Sequence, residues 1–137
     1  MQKTLIDELI ECAGKANVLC TPEDLAVYGY DGTFKEALPE VVVLPENTAQ
    51  ISQVVKVAAA RRVPIVPRGM GSGLAAGSVP LPEGGIVLSL TRMNRILEID
   101  EANATVHAEA GVITAELQAA VEKRGLFYPP DPSSIRH

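Results

Sequence analysis

A chain of 137 residues, 47 % hydrophobic and 21 % charged, has ordinary globular composition and suits one domain or part of a larger one. At this length roughly two-thirds of the unfolded surface can be buried, and with 4 % aromatic residues and no Trp the core must be Val, Ile, Leu and Ala. A net charge of −5 and a pI near 5.0, with Lys and Arg scattered apart from Arg61-Arg62, argue against nucleic acid, which needs clustered cations. No apolar run reaches the ~20 residues that span a bilayer. Asp7, Glu8 and Glu11 interrupt the first segment, so it is no signal peptide. Cys12 and Cys20 match no zinc spacing and read as neutral thiols of a cytoplasmic protein.

In chain order, Leu5, Ile6, Leu9 and Ile10 repeat at helical spacing, predicting a helix from Thr4 to Ala13 with Thr4 as cap and Gly14 as stop. Thr21-Pro22-Glu23-Asp24 is a second start, with Pro at the first helical position and acids facing the dipole. Val41 to Leu44 is a short continuous apolar run, suited to a strand buried on both faces. Asn47 caps the next helix with Gln50 at its third position. That helix runs to about Arg62 with Ile51, Val54, Val55 and Ala58 on one face, and Arg61-Arg62 are its solvated end. Val63 to Pro67 is the next strand, completing a parallel βαβ unit.

Gly85 to Leu90 follows as a strand, then Arg95 to Ile99 and Ala104 to Ala110 around the turn Asp100-Glu101-Ala102-Asn103. In the last strand Val106, Ala108 and Ala110 face inward while His107 and Glu109 face water. Thr114 caps a helix reaching Arg124, with Leu117, Ala120 and Val121 inward and Gly125 as stop. Tyr128-Pro129-Pro130-Asp131-Pro132 cannot be helical.

The sharpest local feature is Pro67-Arg68-Gly69-Met70-Gly71-Ser72-Gly73-Leu74, directly after a buried strand, where α/β proteins tend to place ligands. Glycines at alternate positions remove Cβ atoms, so that backbone N–H groups can converge on an anion. Arg68 adds a positive charge and Ser72 a hydroxyl donor. The loop lacks the Gly-Lys-Ser/Thr ending of triphosphate loops. Its third glycine comes one residue too early for the G-x-G-x-x-G fingerprint, and no acid lies at Met93-Asn94 to hold a ribose. Alone, the loop fits an ordinary flexible turn as well as a phosphate site for some nucleotide.

Four parts occur together: Pro39 to Pro45, the βαβ helix, Pro67 to Leu74, and Tyr128-Pro129-Pro130-Asp131-Pro132-Ser133. In that order they resemble the FAD-binding domain of the vanillyl-alcohol-oxidase and para-cresol-methylhydroxylase type, most of all its glycolate oxidase D-subunit and D-lactate dehydrogenase branch. The resemblance runs from about Thr21 to Ser134. It includes Asp24 through Asp31 and Gly111-Val112. It implies an α+β fold: N-terminal helices over about 1–38, a small parallel βαβ subdomain with a diphosphate loop over 39–90, and the start of an antiparallel α+β subdomain over 91–137, with FAD between the subdomains.

It also implies roles. Pro67, Arg68, Gly69, Met70, Gly71, Ser72, Gly73 and Leu74 would sit on the pyrophosphate, and Pro130, Asp131, Pro132 and Ser133 would close on the cofactor from the other side. Relatives carry Gly or Ala where Met70 stands and Gly-Gly near Ala75-Ala76. Their substrate bases and metal-binding histidines fall in regions beyond this sequence. The full relatives oxidise a 2-hydroxy acid, so the chain is expected to be an N-terminal portion that lacks dehydrogenase activity alone and binds FAD weakly or not at all. A non-catalytic remnant, or a subunit needing a partner polypeptide, is the alternative.

The remaining candidates read as structural. His107 lies on an outward strand face and His137 at a chain end. Glu98, Asp100 and Glu101 form a solvated turn. Tyr28 and Tyr30 pack under the sheet and Asp31 sits in a turn; Asp131 also has turn composition, and its cofactor role is what the resemblance implies.

Overall fold

A computed structural model describes residues 3–132. The chain forms two compact units, divided between Arg92 and Met93.

The first unit is built on a four-stranded sheet. Helix α1 (Leu5–Ala13) opens with a full capping box: Thr4 Oγ1 accepts from Asp7 N at 3.1 Å, and Asp7 Oδ2 accepts from Thr4 N at 3.0 Å. A 3-10 turn then leads to β1 (Val18–Leu19), and α2 (Pro22–Val27) starts with Thr21 as cap. Strand β2 (Val41–Val43), helix α3 (Thr48–Arg61), β3 (Ile65–Arg68) and β4 (Ile86–Ser89) complete the unit. Asn47 caps α3, accepting from Gln50 N, but Gln50 Oε1 reaches back to Glu46 N rather than to the cap residue.

The sheet order is β1-β2-β4-β3. Strands β2, β4 and β3 are parallel, with Val41 opposite Ile86 and Ile65 opposite Ile86. The expected βαβ unit is present, but β4 lies between its two strands. Strand β1, which the apolar pattern missed, adds an antiparallel edge, Val18 opposite Val43. Period-two alternation divides the apolar strands between two cores. Val41, Val43, Ile86 and Leu88 face Leu5, Leu9 and Ala13 of α1 and Val54 and Ala58 of α3. Val42, Val87, Val66 and Leu44 face Leu25 and Tyr28.

Three expectations are corrected here. Val55 is 45 % exposed, and Val57 packs against the core in its place. Tyr30 is 53 % exposed, whereas Tyr28 packs as expected. Arg61 is half-buried: its Nε donates to Glu8 Oε2 at 2.7 Å and its Nη2 to Lys3 O at 2.6 Å, tying α3 to α1. Cys12 and Cys20 are free, and Cys20 is exposed.

The second unit pairs β5 (Ile96–Asp100) with β6 (Thr105–Ala108) antiparallel, with a bulge between Ile96 and Glu98. Asp100 closes their turn by accepting from Asn103 N at 3.0 Å. Helix α4 (Thr114–Glu122) buries Leu117 and Val121. Its cap residue is Ile113, with no side-chain cap hydrogen bond, so Thr114 lies inside the helix rather than at its cap.

Glu109 is also corrected. It lies beyond β6, and its side chain is only 7 % exposed, because it accepts from Arg95 N at 2.8 Å and Arg95 Nη2 at 2.7 Å. Hydrogen bonds from the Arg95 guanidinium, then from its backbone, hold this carboxyl below the usual glutamate range. A carboxyl whose folded pKa is depressed contributes stability above its unfolded pKa of about 4.3 and loses it as pH falls through the folded value. The hairpin should therefore weaken as pH drops from about 5 towards 3. Glu109→Gln should lower its unfolding midpoint at pH 7 and flatten that decline, measured by denaturant titration with hairpin amide signals as the probe.

Candidate functional site

The glycine-rich loop leaves the sheet at the end of β3. Pro67 lies on this strand at the sheet edge, opposite Leu88, where a missing N–H costs no ladder bond. From Gly69 the chain turns along the surface with Ser72 exposed, Met70 at 53 % and Leu74 at 76 % exposure.

Arg68 takes a different position from a free surface cation. It is 6 % exposed, donates from Nη1 to Tyr30 O at 2.6 Å and Ser78 O at 3.4 Å, and lies 5.8 Å from the centroid of the Tyr28 ring, within cation–π range. Its guanidinium fills the space beside Gly71. A Cβ on Gly71, where φ is +75°, would stand 2.0 Å from Arg68 Nη2. Gly71 is thus required by its left-handed backbone and by Arg68.

Gly69 and Gly73 have no such internal reason. Neither carries a left-handed φ, and a Cβ on either would meet nothing within 4 Å. Among the described residues, none of the N–H groups from Gly69 to Leu74 donates a hydrogen bond. The protein thus holds a row of free amides, two of them on glycines whose Cβ space is open. A buried cation lies directly beneath. An anion of two phosphoryl groups fits such a surface by charge and donor count.

Two concavities of this unit are lined mainly by segments outside the loop. A cavity of about 410 Å³ is lined by Ala26, Gly29, Tyr30, Glu36, Ala37 and Leu38. A more open one of about 520 Å³ lies between Phe34 and Pro82 and includes Ala76.

In the second unit Pro130, Asp131 and Pro132 are exposed and irregular. Gln118 Nε2 holds their approach by donating to Tyr128 O at 3.3 Å and Pro130 O at 2.7 Å. Ser133 lies outside the described residues. His107 is exposed on β6, as expected, and among the described residues no cluster of His, Cys, Asp or Glu could hold a metal. Sequence reasoning places Tyr30 and Asp31 within the family resemblance but reads them as packing and turn residues; in the structure the Tyr30 carbonyl and the Gly32 N–H bond to the loop. The sequence signal for this contact is weak: an Asp before Gly is also an ordinary turn.

A parallel sheet whose edge strand feeds a loop of unpartnered amides defines a protein able to hold a phosphorylated ligand at the strand's end. The chain belongs to the FAD binding domain family, whose sequence pattern matches residues 39–137, and the family's cofactor is FAD. It is 45 % identical over 135 residues to the glycolate oxidase subunit GlcD of Bacillus subtilis, covering 98 % of this chain and 28 % of that protein. It is 39 % identical over 112 residues to a D-lactate dehydrogenase of Anaerostipes hadrus, covering 82 % of this chain and 22 % of that one. Among solved structures, p-cresol methylhydroxylase superposes with a TM-score of 0.82 at 22 % identity, over 96 % of this chain and 27 % of that one. This last likeness establishes the PCMH-type fold alone. The chain thus spans 22–28 % of the length of these relatives. No helix among the described residues is long and apolar enough to cross a membrane.

Proposed function

We propose that the loop from Pro67 to Leu74 binds the diphosphate of FAD, within a flavin-dependent oxidoreductase acting on a 2-hydroxy acid such as glycolate or D-lactate. The observation that carries this is the pair Gly69 and Gly73, glycines without left-handed φ and with open Cβ space, in a row of amides without acceptors. In this reading Gly69, Met70, Gly71, Ser72, Gly73 and Leu74 offer backbone N–H groups, and Met70 is tolerated because only its backbone meets the ligand. Arg68 acts from beneath through its charge and by shaping Gly71. Pro130, Asp131, Pro132 and Ser133 are proposed as further cofactor contacts on the family resemblance. Bound there, FAD would supply a two-electron acceptor for oxidation at the α-carbon of the hydroxy acid. The base that takes the hydroxyl proton belongs to the part of the relatives that this chain does not span. A cytoplasmic setting, with Cys12 and Cys20 reduced, is part of the same reading.

The test is titration of the 137-residue chain with FAD, ADP, FMN and NAD, followed by amide NMR shifts, which register millimolar binding. FAD and ADP, with a diphosphate, should move the amides of Gly69 to Leu74, and FMN, with a single phosphate, much less. The chain alone should show no turnover of glycolate or D-lactate. Shifts confined to other residues would remove the loop from the site. ADP matching FAD in affinity would leave the flavin preference to the rest of the protein.

A second reading, that the chain works with a polypeptide supplying the remaining length, is favoured by large exposed apolar side chains: Phe34 is fully exposed and Leu38 is 61 % exposed. A chain that stays monomeric at millimolar concentration would count against it.

A further inference from the structure

Two residues of the loop between α2 and β2, Tyr30 and Gly32, bond to the glycine-rich loop, and Asp31 lies between them. The carbonyl of Tyr30 accepts from Arg68 Nη1 at 2.6 Å. The N–H of Gly32 donates to Gly73 O at 3.0 Å. Between them Asp31 is 7 % exposed. Its Oδ1 accepts from Thr33 N at 2.8 Å and Thr33 Oγ1 at 2.6 Å. Its Oδ2 is buried with no partner among the described residues. Hydrogen bonds from the Thr33 hydroxyl and backbone N–H hold this carboxylate below the usual aspartate range against the effect of burial, and the Arg68 charge and the Ala76 N–H add to this in smaller measure.

Ala76 needs such support, because its φ of +56° is left-handed and unfavourable for a residue with a Cβ. Arg68 needs it too. A guanidinium buried on two carbonyls alone is a costly charge, and an anion nearby offsets part of that cost. The fit is close on the glycine side as well: a Cβ on Gly32 would stand 2.9 Å from Gly73 O and 2.8 Å from Leu74 Cδ2.

We propose that Asp31 is a positioning residue for the cofactor: with Tyr30 and Gly32 it clamps the segment from Arg68 to Ser78, so that the free amides of Gly69 to Leu74 are ordered before any ligand arrives. Fixing a loop beforehand removes an ordering cost from binding. The inference rests on the flavin-diphosphate reading for its function. The clamp itself is a property of the chain without ligand.

Asp31 also closes an Asx turn on Thr33, and a purely local role would end there. Asp31→Asn separates the two. It keeps an acceptor oxygen for Thr33 and removes the negative charge facing Arg68 and Ala76. Backbone 15N relaxation of the whole chain without FAD reads the clamp, and FAD titration of the same samples reads its use. In the unsubstituted chain the amides of Gly69 to Gly77 should have order parameters near the rigid value of about 0.85, and in Asp31→Asn they should fall towards about 0.6, while α3, β2 and β4 stay unchanged. FAD should bind about tenfold more weakly to the variant, equivalent to about 1.4 kcal/mol.

A loop already mobile in the unsubstituted chain, or equally rigid in Asp31→Asn, overturns the clamp. So does unchanged FAD affinity beside a loosened loop. Should Asp31→Asn unfold the chain, Gly32→Ala, which presses on Gly73 O without altering charge, gives the same two readouts. Failure of the unsubstituted chain to bind FAD or ADP at the loop would instead sink the flavin reading, and the relaxation comparison would still decide the clamp.

Discussion

Gly71→Ala should weaken FAD binding by at least tenfold, a loss of about 1.4 kcal/mol or more. Two effects add. The backbone sits at φ +75°, where a Cβ costs roughly 1 kcal/mol or more. The new methyl would also stand 2.0 Å from Arg68 Nη2 and 2.2 Å from Arg68 Cζ. An exposed arginine would swing away cheaply. Arg68 is buried and bonded to Tyr30 O at 2.6 Å, so either that bond breaks or the loop shifts.

Gly73→Ala is the informative contrast. Its Cβ meets nothing in the protein, so thermal stability should barely change. If phosphate lies against the backbone there, binding should still fall. The measurements are FAD affinity and apparent melting temperature for both variants. Full affinity in Gly73→Ala would show that no ligand approaches that glycine, and would remove the main support for the site.

Ile86→Ala should destabilise the first unit by about 2–5 kcal/mol, the usual range for truncating a buried large aliphatic to Ala. Ile86 is fully buried on β4, which is bonded to β2 on one side and β3 on the other, and its side chain joins the core under α1 and α3. Since small domains have total stabilities of about 5–15 kcal/mol, this change alone could leave the unit largely unfolded. Val55→Ala on α3, by contrast, should move stability by no more than about 0.5 kcal/mol, the usual scale for a surface change, because Val55 is 45 % exposed. Urea unfolding of both variants checks the pair. An Ile86→Ala effect no larger than that of Val55→Ala would contradict the assignment of β4 to the centre of the sheet.

Much of the local architecture was legible in advance because it is decided by neighbouring residues. Thr4 with Asp7 and Thr21 with Asp24 made their caps as expected, since a cap involves atoms three residues apart. The runs Val41–Val43 and Ile86–Ser89 are buried throughout, as unbroken apolar stretches in a parallel sheet should be. Errors arose where a distant residue decided the outcome. Glu109 alternates with inward residues and so reads as exposed, yet Arg95 covers it. Arg61 reads as a solvated helix end, yet Glu8 of α1 receives it. Strand β1 is two residues long and exists because Val43 and Val42 lie opposite it.

By itself, the amino-acid order determined the starts of α1, α2 and α3 at Thr4, Thr21 and Asn47, the apolar strands β2, β3 and β4, and the position of three alternate glycines just past a strand end. Each of these follows from capping, side-chain periodicity or the absence of a Cβ, all of which act within a few residues. Only the tertiary structure decided that β4 enters between β2 and β3, and that Arg68 turns inward to Tyr30, 38 positions away in the chain. It alone brought the Tyr30 carbonyl and the Gly32 N–H against the glycine loop. Burying a charge is unfavourable unless partners surround it, and those partners come together only when the chain has folded.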